Sequence, residues 1–109
     1  MKKEKKRGLV PLERDESLME AAAIRAEEIA EDFSHTRPDG TDCSTVLDEN
    51  GISSSISGEN IVRVGNAAGA IYSWMKSAGH KANILNSRFT KTGVGYNQET
   101  NSWIQIFTN

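Results

Sequence analysis

The sequence predicts an α+β fold in which helices cover both faces of a β-sheet. Two segments carry apolar residues at helical spacing, Leu18 to Phe33 and Ala67 to Ala78. The C-terminal part is typical of a β-hairpin, with strands at Thr92 to Tyr96 and Ser102 to Thr108 joined by a polar loop. Both faces of the last strand are largely apolar, which favours a sheet covered on both sides.

Length and composition restrict the class of protein. The 109 residues are 37% hydrophobic and 26% charged, which predicts one globular domain over residues 1–109. A net charge of −2 argues against a nucleic-acid partner. No stretch approaches the roughly 18 apolar residues of a membrane span, and the single cysteine, Cys43, excludes an internal disulfide. We expect Cys43 to be a small buried side chain, and composition leaves the cellular compartment open.

The first long helix is predicted to begin after Pro11, with Asp15 or Ser17 as its N-cap and a capping box from Ser17 to Glu20. Its apolar stripe predicts the face that packs on the core. The stripe consists of Leu18, Ala22, Ala26, Ile29 and Phe33. The charged residues of the other face are predicted to face solvent: Glu20, Arg25, Glu27, Glu28, Glu31 and Asp32.

A turn is predicted where this helix ends. Proline and glycine in Arg37 to Gly40 are placed for a β-turn, so His35 should lie at the exit of the helix. We expect Arg37 to brace this loop through a carboxylate such as Asp39. A short helix is predicted over Ser44 to Glu49.

The second half of the chain continues with alternating loops and elements. The serine-rich stretch Ser53 to Ser57 predicts a loop, and Ile61 to Val64 predicts a strand. The second helical stripe, Ala67 to Ala78, contains Trp74 as a core residue. Gly79 is placed as the C-terminal stop of that helix, which would put His80 just past a helix end.

The last strand has two faces that differ in one polar residue. One face carries Trp103, Gln105 and Phe107, and the other carries Ile104, Ile106 and Thr108. Gln105 therefore needs hydrogen-bond partners if its face is buried, and Trp103 is either core or the wall of a cleft.

His35, Glu59 and His80 are the candidate functional residues. They include both histidines of the chain, each beside a turn former. Two imidazoles and a carboxylate suit a divalent metal such as zinc. An alternative is metal-free general acid–base catalysis, in which Glu59 orients a histidine base. Its candidate nucleophiles by residue type are Ser34, Ser77 and Cys43, none of which has a nucleophile-elbow setting. A purely structural hydrogen-bonded cluster is the third possibility.

The ordered set of motifs resembles the CAP superfamily, which comprises cysteine-rich secretory proteins, antigen 5 and plant pathogenesis-related 1 proteins, in its small bacterial SCP-like extracellular form. The match covers almost the whole chain. The motifs that carry it are Gly8 to Leu12, Phe33 to Gly40, Gly58 to Ile61, Trp74 to Leu85, Gly93 to Gly95 and Trp103 to Phe107.

The resemblance implies a three-layer α-β-α sandwich with a central antiparallel sheet, secreted or displayed at the cell surface. It also implies a cleft in which His35, Glu59 and His80 are the catalytic or metal-binding residues. The second acidic residue of the family's tetrad would fall at Ser77, so the tetrad is incomplete. Met1 to Arg7 matches the end of the family's first helix, which implies that this helix is truncated.

The leading functional hypothesis is therefore a bacterial, secreted or surface-attached binding module. Its His/Glu cleft would hold a divalent ion such as zinc, and its ligand would be a glycan, a peptide, a lipid or a host protein. One alternative is a metal-dependent, peptidase-like hydrolase that uses the same cleft. Another is lipid or sterol binding, which needs an exposed apolar groove that no separate segment of the sequence predicts.

Overall fold

The structure of the chain is a computed structural model that describes residues 12–109. The expected truncated helix at Met1 to Arg7 and the motif residues before Leu12 lie outside the described residues. The described elements, in chain order, are β1 (Glu13–Arg14), α1 (Glu16–Glu31), α2 (Thr45–Glu49), β2 (Ser57–Arg63), α3 (Ala67–Lys76), α4 (Ala78–Leu85), β3 (Lys91–Asn97) and β4 (Ser102–Thr108).

The strands form one sheet in the order β1-β3-β4-β2. The predicted hairpin is confirmed, because β3 pairs antiparallel with β4, and β2 pairs antiparallel with the other side of β4. The two-residue β1 adds a short parallel pairing in which Glu13 lies opposite Lys91. The sheet is thus antiparallel apart from β1, and β2 is an edge strand.

Helices cover both faces of this sheet, as predicted. Helices α1 and α2 contribute to the core cluster on one face, which also contains Ile61, Ile104 and Ile106. Helices α3 and α4 contribute to the cluster on the other face, which contains Trp74, Ile84 and Phe107 among its buried residues. Successive side chains of β4 point to opposite faces of the sheet, and both faces are largely apolar. Each face therefore needs a covering layer of helices, which gives the three-layer α-β-α sandwich.

Asp15 is the N-cap of α1, and its side chain accepts a hydrogen bond of 3.0 Å from the backbone N–H of Leu18. Ser17 therefore lies inside the helix, and Asp15 alone is the cap. The predicted solvent-facing position of Arg25 is wrong, because its side chain is fully buried. Its length lets the guanidinium reach buried carboxylates, which offset the cost of removing the charge from water.

The predicted stop at Gly79 is also wrong. Helix α3 ends at Lys76, Ser77 is extended, and α4 begins at once with Ala78. Gly79 and His80 therefore lie in the first turn of α4 rather than beyond a helix end. Glycine is a strong sequence signal for a helix end, whereas the single extended residue that separates these two helices, Ser77, carries no comparable signal.

Helix α1 packs directly on the backbone of β3. A Cβ atom added at Gly93 would overlap the backbone carbonyl of Leu18. Gly95 is similarly close to the backbone of Ala22. These two glycines allow the close approach of the helix to the strand.

Gln105 lies on the face that α3 and α4 cover. Its Nε2 donates a hydrogen bond of 3.1 Å to Thr92 Oγ1, whereas its Oε1 has no partner among the described residues. The expectation that Gln105 needs partners is therefore met at one of its two polar atoms. No helix in the described part of the chain is long and apolar enough to cross a membrane.

Candidate functional site

Glu59 is the centre of the candidate site. It lies in β2, and its side chain is 4% exposed. Arg25 donates from Nε to Glu59 Oε1 at 2.7 Å and from Nη2 to Oε2 at 3.0 Å. Two charge-assisted hydrogen bonds to one guanidinium compensate the buried carboxylate.

His35 contacts the same carboxylate. The distance between its Nδ1 and Glu59 Oε2 is 2.8 Å. An ionised carboxylate only accepts hydrogen bonds, so the proton of this bond belongs to Nδ1 of His35. The side chain of His35 is 55% exposed, and Nε2 forms no hydrogen bond within the described residues. The ring therefore presents its second nitrogen to solvent.

Two arginines hold the loop that carries His35. Arg25 Nη2 donates to the backbone oxygen of Ser34 at 2.8 Å. Arg37 forms paired hydrogen bonds with Glu28 of α1 and with Glu49 of α2. The loop is therefore bound to α1 on both sides of His35.

The predicted brace of Arg37 through a carboxylate is confirmed, but the carboxylates are those of Glu28 and Glu49 rather than that of Asp39. The side chain of Asp39 instead accepts hydrogen bonds from Thr41, within the turn itself. The predicted β-turn is present, with a 2.8 Å hydrogen bond from Gly40 N–H to the oxygen of Arg37. Burial acts to raise the pKa of Glu28, but hydrogen bonds from Arg37 and Arg25 outweigh it and hold that pKa below its usual value.

His80 is held by its backbone rather than by Glu59. Asn60, which is fully buried, donates from Nδ2 to the backbone oxygen of His80 at 3.1 Å. Asn83 Nδ2 in turn donates to Asn60 Oδ1 at 2.9 Å. Burial lowers the pKa of His80, and the positive charge that His35 can carry lowers it further. The two rings are thus within electrostatic reach of each other.

Cys43 is a neighbour of the site. The sequence offered it as a nucleophile by residue type and as a small buried side chain, whereas the structure leaves it partly exposed. Single ligand atoms of His35, Cys43 and Glu59 lie within 4.8 Å of one another. Burial and the negative charges of Glu59 and Asp42 raise the pKa of the Cys43 thiol to about 12. Cys43 and Glu59 also line a cavity of about 170 Å³ with a partly polar wall. A lone cysteine 16 residues from the glutamate gives no sequence signal for this contact.

The motifs and the fold agree with a search against known families. A model described as the cysteine-rich secretory protein family, CAP, matches residues 5–108. The chain belongs to the CAP family. This CAP domain is 35% identical over 105 residues to the uncharacterized protein YkwD of Bacillus subtilis (strain 168), covering 94% of this chain and 41% of YkwD.

A second relative from the same organism is the uncharacterized membrane protein YlbC. It is 32% identical over 97 residues, which covers 86% of this chain and 28% of YlbC. The CAP domain therefore spans less than half the length of each of these curated relatives.

Solved structures show the same fold. An extracellular protein containing a SCP domain from Bacillus anthracis str. Ames superimposes with a TM-score of 0.88 at 26% identity, covering 97% of this chain and 36% of that one. A cysteine-rich secretory protein from Staphylococcus aureus gives 0.74 at 25% identity, covering 95% and 33%. An outer surface protein from Borrelia burgdorferi gives 0.84 at 22% identity, covering 96% and 82%.

The residues around Glu59 do not suit it as a direct metal ligand. Both of its oxygens accept hydrogen bonds, and the guanidinium of Arg25 lies where it would repel a divalent cation. In the metal-free chain the raised pKa keeps the Cys43 thiol protonated at neutral pH, so an ion would have to displace that proton to bind there. The group of possible ligands found among the described residues is His35, Cys43 and Glu59, and it does not include His80.

The CAP domain shows no activated serine nucleophile among the described residues. Ser77 matches the family's second acidic position, but it lies at the junction of α3 and α4, where its side chain forms no capping hydrogen bond. The hydroxyl of Ser34 accepts from the backbone N–H of Thr36 at 3.0 Å, as in a local turn. The covalent alternative gains no geometric support from these residues.

A second cavity lies in the layer of α3 and α4, away from Glu59. It measures about 240 Å³, and Ala70, Trp74, Val94 and Trp103 are among the side chains of its wall. The wall is almost entirely apolar. Trp103 lines this cavity and packs against the core cluster of the same face, which agrees with the predicted core position.

Proposed function

We propose that this CAP domain is an extracellular binding module whose ligand docks at His35 and His80. In this proposal the two imidazoles hold a divalent cation such as zinc. The extracellular location is supported by the similarity to the extracellular SCP-domain protein of Bacillus anthracis. The cleft chemistry is supported by the hydrogen-bonded arrangement of Arg25, Glu59 and His35.

The proposal rests mainly on one observation: both carboxylate oxygens of Glu59 already accept hydrogen bonds within the protein. Oε1 accepts from Arg25, and Oε2 accepts from Arg25 and lies 2.8 Å from His35 Nδ1. A general base needs an oxygen that reaches the water or substrate that it deprotonates. Glu59 is instead a group that orients an imidazole, as carboxylates do for metal-binding histidines. This argues against Glu59 itself as the general base of a hydrolase.

In the proposal the cation is held by one imidazole nitrogen from each histidine, and its other coordination positions are open to a ligand. Neutral imidazole is a common ligand of zinc, and the lowered pKa of His80 keeps that ring neutral at physiological pH. The bound ion would supply a Lewis-acid contact for an oxygen atom of the ligand. A polar ligand such as a glycan or a peptide suits this contact better than a lipid.

The test is calorimetric titration of zinc into the metal-free chain near neutral pH. We expect saturable binding of about one ion per chain. The folded double variant His35→Ala/His80→Ala should not bind, whereas Lys81→Ala, a surface change beside His80, should bind like wild type. Absence of binding, or binding that the double variant retains, would contradict the metal cleft.

A peptide-hydrolysis assay on the zinc-loaded chain separates binding from catalysis. The proposal expects no turnover of a mixed peptide library. Turnover that disappears in folded His80→Ala would replace the binding module with a peptidase.

A further inference from the structure

The cavity of about 170 Å³ beside Glu59 extends the candidate site along β2. Its wall combines a buried apolar floor with a polar rim. The floor contains Val46, Leu47 and Ile106, and the rim contains Asp42, Ser44 and Ser57. A long side chain with an apolar stem and a polar end fits a wall of this kind.

Asp42 is the carboxylate of this wall that has no basic partner among the described residues. The other carboxylate of the wall, Glu59, is paired with Arg25, and neither lysine nor arginine lines the cavity. Asp42 is exposed, and its Oδ2 accepts from the N–H and the hydroxyl of Ser44, which leaves Oδ1 available. The rim therefore offers a negative charge to a cationic group.

Strand β2, which borders the cavity, can pair with an extended peptide. The N–H of Val64 donates to the oxygen of Asn101, and the pairing of β2 with β4 continues from there in unbroken register to Ser57. Backbone groups of an antiparallel strand point alternately to its two sides, so those of Ser57 and Glu59 point away from β4. Every second side chain of an added strand would point to the face of the sheet that carries the cavity.

We propose that the ligand of this domain is an extended peptide that pairs with the Ser57 end of β2 and inserts a lysine side chain into the cavity, with its ammonium group on Asp42. This inference deepens the proposed function by naming the class of ligand, and it rests on the domain being a binding module. Lysine fits better than arginine, because Asp42 has one oxygen available and the paired hydrogen bonds of a guanidinium need two. The hydroxyls of Ser44 and Ser57 are further acceptors for the ammonium group.

The test is NMR titration of the metal-free chain, with a chelator present and at low ionic strength. The probe is a capped pentapeptide with lysine between two pairs of alanines, and we expect saturable shifts of the backbone signals of Ser44 and Ser57. The same peptide with norleucine keeps the stem and loses the charge, so it should bind about fivefold more weakly, as for a partly exposed ion pair. Butylammonium lacks the main chain and should bind at least about tenfold more weakly, because it cannot pair with β2.

Asp42→Asn should bind the lysine and norleucine peptides with equal affinity. Asp39→Asn is the matched control, because Asp39 accepts from Thr41 as Asp42 accepts from Ser44 but does not line the cavity. It should keep the wild-type preference for lysine. If Asp42→Asn does not fold, the two peptides on the wild-type chain still test the charge.

Four results would overturn the inference. They are the absence of shifts at Ser44 and Ser57, equal affinity of wild type for the two peptides, equal affinity of wild type for butylammonium and the lysine peptide, and loss of the lysine preference in Asp39→Asn. None of them depends on zinc, because the chelator is present throughout. Absence of zinc binding in the calorimetric titration would instead contradict the metal cleft and would leave the lysine pocket unaffected.

Discussion

Glu59 and Asn60 are adjacent in β2 and hold the two histidine-bearing segments on opposite faces of the sheet. Glu59 bonds to the ring of His35 in the layer of α1, whereas Asn60 bonds to the backbone of His80 in the layer of α4. Successive side chains of a strand point to opposite faces. In the sheet of the described residues, β2 is an edge strand.

Asn60→Ala should destabilise the fold and loosen α4. Its amide is buried and bonds to His80 and Asn83, so the change leaves buried polar groups unpaired at a cost of about 1–3 kcal/mol. Urea unfolding measures this loss. Asn83→Ala should cost less, because Asn83 is partly exposed and the bond from Asn60 to His80 remains. Equal stability of Asn60→Ala and wild type would contradict the role given to Asn60.

His80 should titrate below its usual pKa of 6.5 in the folded chain. Burial is the main cause and His35 the second, so His35→Ala should raise the pKa of His80 only part of the way back. Proton NMR of the ring measures both values. A pKa of His80 that His35→Ala leaves unchanged would show that the two rings do not interact.

The lowered pKa of His80 also predicts a pH effect on stability. Between the folded pKa and 6.5 the unfolded chain binds more protons at this site, so stability rises with pH over that interval and falls as pH drops through it. His80→Gln should remove this contribution. Urea midpoints of both proteins at pH 5 and pH 8 give the comparison, and identical pH dependence would count against the shift.

Cys43 should be an unreactive thiol despite its partial exposure. A pKa of about 12 leaves little thiolate at pH 8, so alkylation by iodoacetamide should be at least ~100-fold slower than that of free cysteine. Urea should restore the ordinary rate. Glu59→Gln removes one of the negative charges that raise the pKa and should speed labelling of the folded chain. Rapid labelling of folded wild type would refute the prediction.

Gly93→Ala should disrupt the packing of α1 on β3. The new Cβ would meet the backbone of Leu18, which cannot rotate away as a side chain can, so we expect a loss of about 2 kcal/mol or more. Gly65→Ala is the matched control, because the space around Gly65 is open and its change should stay within about 0.5 kcal/mol. Thermal unfolding distinguishes the two variants.

The longer elements that the sequence predicts are those with a clear apolar period, whereas the short helix α2, predicted over Ser44 to Glu49 and observed over Thr45–Glu49, has none. The stripe from Leu18 to Ile29 and the apolar residues of β4 are local patterns that the core preserves. Phe33, the last residue of the predicted stripe, lies beyond the end of α1 and is exposed.

The two-residue β1 has no apolar pattern, because it exists only through its pairing with Lys91 and Thr92. Gly79 was misassigned because the actual break lies at the extended Ser77.

The candidate site was predicted less completely than the fold. Motif resemblance pointed to His35, Glu59 and His80, but their chemistry depends on Arg25, which lies 34 residues from Glu59. Its place among the charged residues of α1 suggested a solvent position. No local spacing indicates that one arginine on a charged helix face, Arg25, will be buried by its bonds to a distant carboxylate, Glu59. The same holds for Cys43.

The paired hydrogen bonds of Arg37 have a consequence for the thermodynamics of recognition. They join the loop of His35 to α1 and α2 without any disulfide, so this loop is ordered before a ligand arrives. A preorganised loop does not add its ordering entropy to the cost of association. Differences in affinity between ligands of this cleft should then come mainly from differences in their dissociation rates, because every ligand meets a surface that is already formed.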